Sequence, residues 1–156
     1  MITSARWQHI LGVARRAKTL AEKLRPDDGP FAEDMFLLGI LHDFGYEFAE
    51  NPSDHPAVGA EILKRQGYRY WKEVADHGNI NVTEATDALF VLSCADMTTG
   101  PHGESFTMED RIDNMAQRYG RDSRQHKKAI VAAERLRSDP RYRLLENTEE
   151  DRKETA

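Results

Sequence analysis

Apolar residues recur along the chain every three to four positions, and no stretch of strict two-residue alternation lasts long enough to build a sheet. The pattern predicts an all-α fold, a compact bundle of about seven helices. A first helix is expected from about Ser4, a candidate N-cap, to Leu24, stopped by Arg25-Pro26-Asp27-Asp28-Gly29-Pro30. A second covers about Phe31 to His42 and ends near Gly45. Ser53 or Asp54 can cap a third, with Pro56 in its first turn and Gly67 closing it. A short fourth lies at about Tyr70 to His77, and a fifth runs from near Thr83 to about Thr99, where Gly100-Pro101 ends it. Two more follow, at about Met108 to Tyr119 and Ser123 to Arg137. The domain is therefore expected over 1–145, followed by a polar tail over 146–156 that is expected to fray.

On a helical wheel the inward stripes end repeatedly in a histidine or an acid. The first helix gives His9, Val13, Ala17, Leu20 and Leu24; the second gives Phe31, Met35, Leu38 and His42; the fifth gives Ala85, Leu89, Leu92 and Asp96. Weaker versions place His55 with Val58 and Ile62, and His77 with Tyr70 and Val74. A buried carboxylate is costly unless it is paired or bound to a cation, and several unpartnered imidazoles add to that cost. One shared cation answers all of them. Imidazole with carboxylate suits Mn, Fe, Co, Ni or Zn, and Cys94, the lone cysteine of the 156-residue chain, rules out a cysteine-built zinc knot and an intramolecular disulfide.

Composition narrows the partners. With 39% hydrophobic and 31% charged residues and a net charge of -5, the chain is ordinary for a soluble domain and poorly suited to gripping a phosphate backbone, so no nucleic-acid polymer is expected. No apolar run nears the roughly 20 residues that span a bilayer, and no export peptide is visible, so a cytoplasmic location without membrane attachment is the expectation. Oligomeric state is not legible.

The residues resemble the HD superfamily of metal-dependent phosphohydrolases, whose pattern is a histidine, a His-Asp pair and a distant aspartate. Here these read His9 in Arg-Trp-Gln-His-Ile-Leu-Gly-Val-Ala, His42-Asp43 in Leu-Gly-Ile-Leu-His-Asp-Phe-Gly, and Asp96 in Ser-Cys-Ala-Asp-Met. The resemblance implies one or two divalent ions (Mn, Fe, Co, Ni, Zn or Mg). His9, His42, Asp43 and Asp96 would hold the first, and His55 and His77, with Asp43 bridging, a second. It also implies cleavage of a phosphate ester or anhydride of a small molecule, nucleotides included, by metal-activated water, with Asp43 central to catalysis. Many hydrolytic members carry Lys in His-Asp-x-Gly-Lys; this chain has Tyr46 there, which leaves the subfamily open.

Arg6, one turn before His9, can hold a substrate phosphate, and Thr99 can line the pocket mouth. Lys64, Arg65 and Arg111 are further cationic candidates without support from the motif. A dinuclear iron oxygenase and a non-catalytic, metal-containing sensing module are the competing readings. His102 and His126 are expected in solvent, Cys94 in the core, and Trp7, Trp71, Tyr68 and Tyr70 between helices.

Overall fold

The computed structural model describes residues 1–146. Thr3, one residue before the expected cap, starts the first helix by accepting the Arg6 amide on its hydroxyl at 3.1 Å, and α1 runs Ser4–Leu24. Within the segment that stops α1, Asp28 already caps the next helix through the Phe31 amide, so α2 begins at Gly29 and runs to Leu41. Pro30 fits its first turn because the amide it lacks would be unpaired there. Two 3₁₀ turns follow, Phe44–Glu47 and Pro52–Asp54, which the apolar pattern did not predict because neither is long enough to carry a period.

The third helix, α3, is His55–Arg65, and α4 is Trp71–Asp76. The fifth, α5 (Asp87–Met97), starts later than expected from Thr83. Thr86 is extended and its hydroxyl takes the Leu89 amide at 3.1 Å, which fixes the boundary there. α6 (Met108–Tyr119) opens with a reciprocal capping box between Thr107 and Asp110, and α7 is Arg124–Ser138, capped by Ser123. A further helical stretch covers 142–146. Among the described residues there are no strands, only one isolated bridge between Thr99 and Ser105. Of the polar tail only Glu146 is described; 147–156 lie outside the described residues.

α1 packs along α2 most extensively, and Gly39 permits it: a Cβ there would sit 2.5 Å from the Ala14 Cα. Val13, Ala17, Leu20, Phe31, Met35, Leu38 and Leu92 join one core, as their stripes predict, and Val91 joins it as well. Trp7 departs from its expectation, being 47% exposed on the outer face of α1. Among the described residues no helix is long and apolar enough to cross a membrane. The polar ends of the stripes converge at one place. His9 lies in α1, His42 and Asp43 just beyond α2, His55 at the head of α3, His77 just beyond α4, and Asp96 in the last turn of α5.

Candidate metal centre

The histidines are held by a repeated local device. Three of the rings use the carbonyl three residues back: at the ends of α2 and α4, where carbonyls lack intrahelical donors, His42 Nδ1 donates to Gly39 at 2.6 Å and His77 Nδ1 to Val74, and after the 3₁₀ turn His55 Nδ1 shares the Pro52 carbonyl, at 2.7 Å, with its own amide. The fourth ring, His9, donates its Nδ1 to Gly100 across the fold at 2.9 Å. A carbonyl only accepts, so each neutral ring carries its proton on Nδ1 and presents an Nε2 lone pair.

Those four lone pairs face carboxylate oxygens. Asp43 divides its two oxygens between them. Oδ1 lies 3.2 Å from both His55 and His77 Nε2, while Oδ2 lies 3.3 Å from His42 Nε2 and 3.7 Å from His9 Nε2. Asp96 Oδ1 adds contacts of 2.9 Å to His9 and 3.8 Å to His42. The Nε2 atoms of His55 and His77 are only 3.1 Å apart. Two trios thus form around a shared carboxylate, His9-His42-Asp43 and Asp43-His55-His77, each with its ligand atoms within 4.8 Å of one another. Acceptors packed against acceptors repel unless positive charge lies between them. Ligand atoms each about 2.1 Å from one ion sit about 3.0–3.4 Å apart in octahedral or tetrahedral shells, which is the spacing of the closest pairs here.

His42 is the sharpest test of that fit. It is fully buried, and its Nε2 has no hydrogen-bond partner, a costly state that a bound cation removes. Burial alone favours the neutral ring, yet Asp43 and Asp96 push its pKa up to about 10. Burial likewise opposes ionising Asp43, but His42, His55 and His77 hold it well below the usual carboxylate range. Asp96 is shifted the same way against burial by His42 and His9. These shifts favour positive charge facing the two carboxylates, and a donor set of imidazole and carboxylate suits a divalent cation there.

All six predicted ligand-type residues meet, and Arg6 meets them. Its Nη1 donates to Asp43 Oδ2 at 3.0 Å with about a third of its side chain in solvent. The other cationic candidates are engaged elsewhere: Lys64 lies over Trp71, and Arg65 pairs with Glu61. Arg111 is buried, donating to the carbonyls of Asp96 at 2.6 Å, Met97 and Thr99, so it ties down the end of α5 rather than a substrate. Thr99 is also buried, its hydroxyl donating to Ala95 at 2.8 Å, so it does not line a mouth. His102 is exposed; His126 is half-buried, with Nδ1 donating to Arg121.

Tyr46 is the site residue that the pattern missed. Its ring stacks on His55 with centroids 3.8 Å apart and planes 15° from parallel, and the Arg6 guanidinium lies 4.2 Å from its centroid. Two groups that close cannot share one face, so Tyr46 is sandwiched between a ligand-type ring and the guanidinium that reaches the centre. Its position three residues after Asp43, on the turn the glycine permits, was the available signal. The model of the HD domain family matches residues 6–137. No curated protein and no solved structure matches the chain.

Proposed function

The chain belongs to the HD domain family, and on that premise we propose that it is a metal-dependent phosphohydrolase acting on a phosphate ester or anhydride of a small molecule, nucleotides among the candidates. The observation that carries this reading is the orphaned Nε2 of His42, set among three further lone-pair nitrogens and the divided carboxylate of Asp43. His9, His42, Asp43 and Asp96 would hold one divalent ion, and Asp43, His55 and His77 a second, which when bound would supply Lewis acidity and a water of lowered pKa. The Nδ1 hydrogen bonds of the four rings lock their orientation before any ligand arrives. Arg6 spends one donor on Asp43, and its remaining guanidinium donors are available to phosphate oxygens.

The test is metal analysis of the purified protein with a phosphate-release screen, repeated on Asp43→Ala. Loss of most bound metal and of phosphate release, with the helical signal kept, is expected, since Asp43 is the one carboxylate common to both trios. Full metal content and undiminished release in Asp43→Ala would sink the proposal. Iron-dependent consumption of oxygen in place of phosphate release would replace it with the oxygenase reading.

A further inference from the structure

A cleft of about 660 Å³ lies between α5, α7 and the loop over 77–86, within the size range of small-ligand pockets. His77 and Asp96 are part of its wall, so it abuts the metal centre. Ile80, Val82, Leu89, Met97 and Leu136 give it apolar sides, and Ser93 and Asn79 give it neutral hydrogen-bonding groups. Its charges are mostly negative. Asp76, Glu134 and Asp139 join Asp96 in the lining, against Arg135 as the lining's single Lys or Arg among the described residues. Arg135 donates to the carbonyls of Ile80 and Val82, tethering the loop to α7.

We infer that this cleft is the leaving-group site and takes an uncharged, ring-bearing alcohol of nucleoside size, so that the substrate carries one phosphate and no di- or triphosphate chain. The inference rests on the phosphohydrolase reading for the reaction, but the binding it describes stands apart from it. A phosphate at the centre lies beside His77 and Asp96 on the cleft wall, which gives the group it is attached to a way into the cleft. A second or third phosphate would put further negative charge beside Asp76 and Glu134, with Arg135, already donating to two carbonyls, as the lining's one Lys or Arg among the described residues and Asp139 already holding Arg141. An apolar ring instead exchanges water for the side chains of Ile80, Val82 and Leu136. In the reaction, water oxygen bonds to phosphorus and the phosphorus–oxygen bond to the alcohol breaks. One water proton ends on the leaving alkoxide and the other on the phosphate.

Ala132 lines the cleft from α7, which carries none of the ligand-type residues, so substitutions there probe the cleft without touching the centre. Two measurements are made on metal-loaded protein: phosphate release from nucleoside mono-, di- and triphosphates and from 1-naphthyl phosphate, and calorimetric binding of the nucleosides and 1-naphthol. The monoesters are expected to exceed the di- and triphosphates by tenfold or more in kcat/KM, and at least one uncharged ring compound to bind. Ala132→Phe is expected to weaken that binding at least tenfold with metal content unchanged. Ala132→Arg is expected to raise diphosphate turnover relative to monophosphate. Triphosphates turned over as well as monophosphates, no ring compound bound, or binding indifferent to both variants would overturn the inference. Binding lost in Ala132→Phe, with no phosphate released from any ester, would overturn the hydrolase reading alone.

Discussion

Tyr46 is where the sequence pattern is least informative and the fold most so. At Tyr46 the chain has no cationic side chain; its positive charge comes from Arg6, forty residues earlier, whose guanidinium lies on the aromatic ring and reaches Asp43. Burial, with Asp43 close by, pushes the phenol up to about 12, so the ring is neutral at physiological pH and the contacts belong to its face, not to its hydroxyl. Tyr46→Phe should therefore leave phosphate-ester KM within about twofold. Tyr46→Leu, losing a cation–π and a stacking contact of about 1 kcal/mol each, should raise KM by tenfold or more at unchanged metal content. Steady-state kinetics on the two variants decides it, and equal effects would refute the sandwich. Five of the ligand-type residues, His9, His42, His55, His77 and Asp96, were legible because each lies on an apolar stripe that helical periodicity turns inward, whereas Asp43 was legible only from its place beside His42 in the family pattern. Thr99, offered on its spacing from Asp96, and Arg111, offered on its charge alone, were misread because neither spacing nor charge says that nearby backbone carbonyls will consume a side chain.

At the scale of elements, the centre depends on helix ends meeting, and one glycine sets how closely two of them approach. Gly45 sits in the turn after Asp43, where an added Cβ would lie 2.0 Å from the His55 carbonyl oxygen and 2.9 Å from the Gly59 amide. Both are backbone atoms, so relief requires moving the head of α3, and His55 with it. Gly45→Ala should cost upward of about 2 kcal/mol in urea unfolding and lower metal content, because one trio is pulled open. Gly29→Ala, with nothing within 4 Å of its added carbon, is the control and should change neither. A normal metal content in Gly45→Ala would show that α3 tolerates the shift. The long helices α1, α2, α6 and α7 keep within two residues of their expected bounds. The turn at Phe44–Glu47 escaped because it is too short to carry a period, and the turn at Pro52–Asp54 and the late start of α5 because single side chains, Asn51 and Thr86, cap them.

Across the whole molecule, α5 is fixed at both ends, and this is what keeps Asp96 aimed at the centre and one wall of the cleft in place. Its C-terminal end is clamped by Arg111. Its N-terminal end is tied through Asp87, which accepts from Arg25 at 2.7 Å, in the junction between α1 and α2, and from Arg141 at 2.8 Å, beyond α7. Arg141 also donates to Asp139 and to the Ala85 carbonyl and covers the Phe90 ring, so segments far apart in sequence meet at one carboxylate. Partial burial opposes ionisation of Asp87, but the hydrogen bonds from Arg141 and Arg25 outweigh it and lower its pKa below the ordinary value of 3.8. A carboxyl whose folded pKa is depressed contributes stability that is fully present above its unfolded pKa and disappears as pH falls through the folded one. Asp87→Asn should therefore be less stable than wild type by about 1 kcal/mol at pH 7, a modest figure because part of the carboxylate remains in water. That gap should hold down to about pH 5 and close below pH 4 as the wild-type carboxyl takes up its proton. Urea unfolding of both proteins at pH 7, 5, 4 and 3 reads it directly, and a gap that stays constant or widens toward acid would mean the tie at the base of α5 is not ionic.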